Sequence, residues 1–422
     1  MNSRKPIFAI LAAGLVTILA LTFTPYALLS RAKHAVASAV RPAPDTEALK
    51  ELERQKAATA SLPPFDVASW YVGRGANPET HAVLIESLDG AQVFAAHNAD
   101  ITYNPASLVK LTTSLAALRQ LGKDFRFETR VYVDGTIDNA GVLRGRLLIA
   151  GGDPTFGDIA AGMIAKKLEE RGIKRVPEEI VVSPDFTFNY SEKPEESAER
   201  LARVMKLSPK KFSVADAPTT HPTFILRSYP LREILLYMNA HSSNFVAERL
   251  GGLVGGPEGV RRFLLNELQL PAEQVSLSTT SGLEQNRMTA RGLLKVIRAL
   301  NAEANRQGMK LEDIMAVASD DWGTLRRRLV GTPLEGAAVG KTGTLVHDDG
   351  GMSSLGGIVY TQKTGAVCFV IFNQGSTVAE NKQMTDQLLV EIILANDLPA
   401  VIPKPEERRH MLERTDLVIE EQ

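Results

Sequence analysis

Ser107 and Lys110 stand three residues apart in a run whose apolar residues, among them Leu108, Leu111 and Leu115, recur at helical spacing. Positions three apart on a helix share a face, so the Lys110 amine can reach back to the Ser107 hydroxyl and accept its proton. A serine is a poor nucleophile at its ordinary pKa and needs such a base. A lysine serves as that base only when neutral, and burial beside a second cation lowers its pKa toward that state. Lys341 can supply the cation. Asn104-Pro105-Ala106 places Ser107 at or near the helix N-terminus, where its backbone N–H would help hold an oxyanion. Alone the pair is a weak signal, because a serine there is commonly a helix cap and a lysine one turn on a solvated side chain.

Two further motifs follow in order, Ser242-Ser243-Asn244 and Lys341-Thr342-Gly343-Thr344. With Ser107-Leu108-Val109-Lys110 they match the set S-x-x-K, S-D-N and K-T-G found in penicillin-binding proteins and serine β-lactamases. The strand bearing Lys341 is expected to supply a second oxyanion donor, and Gly343 to let a substrate backbone lie close to it. His241, just before Ser242, could suggest a Ser–His pair; a partly buried, satisfied histidine is the plainer reading.

Elements to position these residues can be read around them. His81–Leu88 and Gln92–Ala96 flank the turn signal Asp89-Gly90 and form a hairpin. Phe125–Val133 and Val142–Ala150 read as strands separated by Asp134-Gly135 and Asn139-Ala140-Gly141, followed by a helix near Ile159–Arg171 and a strand at Glu179–Val182. Tyr190–Thr219 is polar, with scattered proline, and carries no firm pattern. Helical periods resume at Leu231–Ala240, Phe245–Leu253, Gly259–Leu268 and Ala290–Ala304. Ala338–Leu345, Ser354–Tyr360 and Ala366–Phe372 read as strands, Gln362–Gly365 as a hairpin turn and Asn381–Leu394 as a closing helix. Strands at both ends of the chain with helices between them predict an α/β protein whose sheet is assembled from distant segments.

The chain has 422 residues, 44% apolar and 23% charged, enough to bury a substantial core. Lys plus Arg number 48 and Asp plus Glu 49, so there is no long-range field to gather nucleic acid, and no finger or basic helix appears. The one cysteine, Cys368, lies in an apolar strand and excludes an internal disulfide. After Arg4 and Lys5 no charge occurs until Arg31, and Ile7–Phe23 is almost wholly apolar, the plan of an export signal. Its length is nearer the roughly 20 residues of a membrane-spanning helix than the roughly 7–15 of a cleavable signal core. Against an anchor, Ala35-Val36-Ala37 and Ala37-Ser38-Ala39 offer cleavage patterns. Residues 1–40 are thus a signal or membrane anchor, 41–65 a Pro- and Ala-rich linker, and 403–422 a charged, solvated tail.

Beyond the three motifs, Pro105-Ala106-Ser107, Gly151-Gly152-Asp153-Pro154-Thr155, Ser281-Gly282-Leu283 and Gly323-Thr324-Leu325 followed by Arg328 resemble segments of the low-molecular-mass class C penicillin-binding proteins. These form the D-alanyl-D-alanine carboxypeptidase/endopeptidase family, and the likeness runs from about Ala82 to Leu394. It implies a transpeptidase/β-lactamase-like domain, an antiparallel sheet flanked by helices, over 66–124 and 226–402, with a smaller α+β domain inserted at 125–225. Family members usually carry two extra domains between Lys110 and Ser242; about 130 residues lie there in this chain, so one looks missing or reduced. Position 243 is serine where aspartate is frequent, and a mild effect is expected.

The resemblance also implies roles. Ser107 is the acylated nucleophile, Lys110 its base, and Ser242 the hydroxyl that relays a proton to the departing amine. Asn244 binds a substrate amide. Lys341, Thr342 and Thr344 bind the terminal carboxylate along the strand that includes Gly343, and the N–H groups of Ser107 and Thr344 form the oxyanion hole. The implied substrate is the peptidoglycan stem peptide, with β-lactams acylating the same serine, in an exported protein needing no metal or cofactor. A related β-lactamase or esterase, or a non-catalytic envelope binding protein, are the competing readings.

Overall fold

The computed structural model describes residues 64–346, 350–402 and 417–421. The expected signal or anchor at 1–40, nearly all of the linker and most of the tail lie outside them. Among the described residues no helix is long and apolar enough to cross a membrane.

Helix α1 (Val67–Val72) is capped by Asp66, whose carboxylate accepts the Ser69 N–H, and leads into the hairpin β1 (His81–Ser87) and β2 (Val93–His97). A short strand β3 (Thr102–Tyr103) and a 3-10 turn, Ala106–Leu108, precede α2 (Val109–Leu121). Every residue of α2 from Val109 to Leu118 is buried. Its polar members are satisfied internally; Thr112 and Ser114, for example, donate to the Val109 and Lys110 carbonyls, both at 2.7 Å.

The chain then forms β4 (Glu128–Ile137), β5 (Leu143–Ala150), α3 (Asp158–Glu170), β6 (Glu179–Val182), α4 (Pro194–Val204), β7 (Lys211–Val214) and β8 (Phe224–Arg227). Three helices follow, α5 (Leu231–His241), α6 (Asn244–Leu253) and α7 (Gly256–Glu267), with the short strands β9 (Val275–Ser276) and β10 (Arg287–Thr289) before α8 (Ala290–Arg306). The last elements are β11 (Ala316–Val317), β12 (Ala338–Leu345), β13 (Met352–Tyr360), β14 (Ala366–Gln374), α9 (Val378–Asn396) and β15 (Val418–Glu421).

One six-stranded sheet has the order β11-β12-β13-β14-β1-β2, antiparallel throughout. It joins the two ends of the chain, as the pattern of strands predicts. Alternate residues of β14 serve opposite faces. Cys368, Val370 and Phe372 pack into the core that contains Leu111 of α2 and Ile297 of α8, whereas Val367, Phe369 and Ile371 pack with Leu388 and Ile392 of α9. Burial on both faces explains why β14 reads as a continuous apolar run rather than an alternating one.

A second six-stranded sheet has the order β15-β8-β4-β5-β6-β7, antiparallel as far as β5 and parallel beyond it. Here the structure departs from three sequence expectations. Asp134-Gly135 does not break a strand: β4 runs through it, with Gly135 paired to Gly145. A Cβ on either glycine would lie 2.2 or 2.1 Å from the partner strand's carbonyl oxygen, so the glycines allow close strand approach instead of a turn. The stretch that carried no firm pattern holds α4 and β7. Finally, the end of the expected solvated tail is β15, held beside β8 by Arg227 donating to Glu420 at 2.7 Å.

Candidate active site

The turn that carries Ser107 is set by local constraints. Asn104 Oδ1 accepts the Ala106 N–H at 3.0 Å, and Ala106 has a left-handed φ of 50°. Ser107 follows in the 3-10 turn, half-buried and therefore reachable. One turn later Lys110 is fully buried. Its Nζ lies 2.7 Å from Asn244 Oδ1, 2.6 Å from the Ser281 carbonyl and 3.0 Å from Ser107 Oγ.

The second motif occupies the break between two helices. α5 ends at Ser242 in the left-handed conformation, with φ 56°, and α6 begins with Ser243 as its N-cap, accepting the Val246 N–H at 3.4 Å. The middle serine thus points into the helix end, a place where serine and aspartate are both favoured. Its neighbours Ser242 and Asn244 are left to face the two lysines. Lys341 Nζ, on β12 and also fully buried, donates to Ser242 Oγ at 2.9 Å and to the Thr342 carbonyl at 2.7 Å.

The rest of β12 is anchored on both sides. Thr342 Oγ1 donates to Thr324 Oγ1 at 2.8 Å, and the Thr324 N–H donates to the Ala240 carbonyl at 2.9 Å. Thr344 is half-buried opposite Ser353. A Cβ on Gly343 would lie 2.1 Å from Ser354 Oγ and 2.8 Å from the Pro105 carbonyl, so its smallness also lets β12 press against the turn that carries Ser107.

These contacts bring the sequence-derived residues into two bonded groups, Ser107–Lys110–Asn244 and Ser242–Lys341–Thr342. Charge couples them. Burial pulls the Lys110 ammonium down to about 7, opposed by the Glu248 carboxylate. Burial, and then repulsion from Lys110, pulls Lys341 well below the ordinary lysine range. The pair therefore disfavours two positive charges at once. His241 takes no place in either group; its ring packs on Tyr237 at 4.8 Å. Tyr237 also stacks on Tyr190, from the connection between β6 and α4, and Tyr190 meets the edge of Phe245. Buried Asp153, of the Gly-Gly-Asp-Pro-Thr segment, acts on Tyr190 electrostatically.

The wall behind Lys110 includes Ser281-Gly282-Leu283, a segment that the sequence marks by its resemblance but to which it assigns no role. The turn Thr279–Leu283 is clamped by Thr113 Oγ1 donating to the Thr280 carbonyl at 2.7 Å and by the Ser281 N–H donating to Glu248 Oε1 at 2.9 Å. Gly282 in this turn has φ 88°, and a Cβ on it would lie 2.0 Å from the Ala106 carbonyl and 2.9 Å from Ser107 Cα. Gly282→Ala is expected to displace the turn that carries Ser107. The penicillin acylation that the resemblance implies for Ser107 should then fall at least about 100-fold, the order of loss that about 1 Å of misplacement causes in a reacting group. Stopped labelling at equal folded protein, checked by circular dichroism, measures this; an unchanged rate would show that the turn does not set Ser107.

Comparison with known proteins follows the same residues. The model of the D-Ala-D-Ala carboxypeptidase 3 (S13) family matches residues 74–199 and 208–393. Among solved structures, the predatory peptidoglycan endopeptidase Bd3459 of Bdellovibrio bacteriovorus is 20% identical, over 80% of this chain and 98% of that one, with a TM-score of 0.67. The same endopeptidase acylated by penicillin G, in complex with the immunity protein Bd3460, is similar at 21% identity over 80% and 99% of the two chains, with a TM-score of 0.67. Penicillin-binding protein 4 of Haemophilus influenzae is 18% identical over 75% of this chain and 95% of that one, with a TM-score of 0.59. These likenesses establish a shared fold.

Proposed function

The chain belongs to the D-Ala-D-Ala carboxypeptidase 3 (S13) family, and from that premise we propose that it is a serine DD-peptidase that cuts peptidoglycan stem peptides through an acyl-enzyme on Ser107. One observation carries the reading. Two of the three groups around Lys110 Nζ, the Asn244 side-chain oxygen and the Ser281 carbonyl, can only accept hydrogen bonds. A neutral amine spends its two N–H donors on them and turns its lone pair to the third group, the Ser107 hydroxyl.

The proton inventory then balances. Ser107 Oγ attacks the penultimate D-Ala carbonyl carbon as its proton passes to Lys110. The N–H groups of Ser107 and Thr344 receive the oxyanion. As the C–N bond breaks, the amine takes a proton from Ser242, which regains one from Lys341 across their hydrogen bond. Lys110 gains a proton at attack and Lys341 gives one up as the amine leaves; in the intermediate between them the oxyanion offsets the second positive charge, and the pair is back to a single charge once the acyl-enzyme has formed. The substrate's terminal carboxylate, beside Lys341, Thr342 and Thr344, is what first gives the charge to Lys341. Water later hydrolyses the ester.

Asn244, besides orienting Lys110, binds a substrate amide. The catalytic part is 66–124 with 226–402, interrupted by 125–225, and the protein acts outside the cytoplasm, where residues 1–40 send or tether it. D-Ala carboxypeptidase and endopeptidase activities are separated by incubating the protein with a stem pentapeptide and with a cross-linked muropeptide dimer. Release of free D-alanine or of monomers, sensitive to penicillin, is expected. Rapid nitrocefin turnover with neither product would identify a β-lactamase instead.

A further inference from the structure

Lys110 rests against a backbone carbonyl, and a carbonyl is only as well placed as the turn that carries it. The Ser281 carbonyl belongs to a turn without regular secondary structure between β9 and β10. α2 fastens one side of this turn through Thr113. Asn286 closes the turn from within, accepting the Ser278 and Thr279 N–H groups, and on the α6 side the Ala247 carbonyl lies 3.1 Å from the Thr280 hydroxyl; the α6 side chain that holds Ser281 itself is Glu248. Its Oε1 accepts the Ser281 N–H at 2.9 Å, and its Oε2 accepts the Thr280 hydroxyl at 2.8 Å. Helix α6 can come this close because residue 251, one turn on, is glycine: a Cβ there would lie 2.2 Å from Thr280 Oγ1.

We propose that Glu248 is a positioning residue for the general base, holding the Ser281 carbonyl against Lys110 through the turn and acting on the amine with its negative charge. The inference rests on the assignment of Ser107 and Lys110 above. Glu248 lies four residues after Asn244, so the two share a face of α6 and address Lys110 from one helix, Asn244 directly and Glu248 through the backbone of Ser281. The carboxylate oxygens accept only, which suits them to two donors at once and fixes the Thr280–Ser281 peptide plane, one Cα before the carbonyl that meets Nζ.

The charge has a direction of effect. Glu248 raises the pKa of Lys110, working against burial. Burial is what opposes it; the neighbouring cation, Lys341 of β12, is itself lowered by repulsion from Lys110, the Ser242 hydroxyl at the end of α5 meets Lys341, and the turn meets Lys110 with the Ser281 carbonyl. Removing the carboxylate charge but keeping an acceptor leaves burial unopposed, so Lys110 gives up its proton at lower pH. Glu248 is exposed to solvent, which screens it, and a shift of a few tenths to about one pH unit is the size expected for a screened charge one residue away.

The rate of acylation by a fluorescent penicillin, followed from pH 5 to 9 in the full chain, tests this with Glu248→Gln and Glu248→Ala beside wild type. In Glu248→Gln the acid limb is expected to move to lower pH, with a plateau within about twofold of wild type because Gln keeps an acceptor for the Ser281 N–H. In Glu248→Ala the plateau is expected to fall about tenfold or more, as the freed turn misplaces the base. An acid limb that stays at the wild-type pH in Glu248→Gln overturns the assignment, and so does a Glu248→Ala plateau equal to wild type. Glu248→Gln carries the test alone should the alanine variant fail to fold. If wild type takes no label, it is the reading of Ser107 that falls, and the two failures remain distinct.

Discussion

Lys110→Met is expected to lose acylation by roughly 10²–10⁴-fold, the contribution of a positioned general base, while remaining folded. The methionine fills the same buried channel and removes an amine that the fold holds in an unfavourable state. Sign follows from the direction of the shift. Lys110 has its pKa lowered from 10.5 to about 7, so below about 7 the buried amine is charged and its burial weakens the fold fully. Between about 7 and 10.5 the folded protein holds fewer protons than the unfolded chain, and stability from this group rises with pH. Thermal melting of Lys110→Met should accordingly match or exceed wild type at pH 6, and the advantage should shrink by pH 9. In the wild type the same titration sets activity: acylation should climb with pH through about 7 as Lys110 becomes neutral. A variant that acylates at the wild-type rate, or a wild-type rate that falls as pH rises from 6 to 8, would remove Lys110 from the role of base.

Ser242→Ala should separate two kinds of substrate. The hydroxyl lies 2.9 Å from Lys341 Nζ and is not bonded to Ser107 or Lys110. Were Ser107 and Lys110 a self-sufficient pair, its removal would matter little. If the departing amine takes its proton through Ser242, amide acylation should fall about 10²–10⁴-fold. A thioester of the same acyl group expels a thiolate, which needs no proton to leave, and should lose far less. Parallel rates on both substrates with folded variant provide the comparison. Equal losses would leave Ser242 as a positioning residue and would require another donor for the amine.

The site was legible where a side chain's chemistry and its spacing coincide. The three-residue spacing of Ser107 and Lys110 already states their contact, and the bond follows it, whereas the bonds of Asn244 to Lys110 and of Lys341 to Ser242 join separate motifs and come from the fold. Groups that act through the backbone were not legible as such. Nothing about the residue type of Ser281 announces that its carbonyl will meet Lys110, although Gly282, at φ 88° against Ala106, marks a turn that no other residue could make so tightly. Glu248 had a readable cue in its four-residue spacing from Asn244, yet a glutamate on an exposed helix position reads first as a solvated charge.

The fold divides in the same way. β14, buried on both faces, appears as a long apolar run. Gly135 looks like punctuation because glycine in a turn and glycine in close strand contact are the same letter; only its partner Gly145 distinguishes them. α4 could have been found within the unassigned polar stretch. Pro194 occupies its first turn with Glu195 and Glu196, a helix-start signature, and Ala198, Leu201 and Ala202 make one buried face. β15 could not, because four residues at the end of a charged segment gain a strand's identity only from β8 beside them.

Covalent attachment to Ser107 is the claim on which the rest stands. It is tested most directly by incubating the full chain with penicillin, digesting it, and locating the adduct by mass spectrometry, with Ser107→Ala in parallel. One adduct per chain on the peptide that contains Ser107, and none on the folded variant, is the expected result. An adduct on Ser107→Ala, or on any other residue of the wild type, would contradict the assignment of the nucleophile.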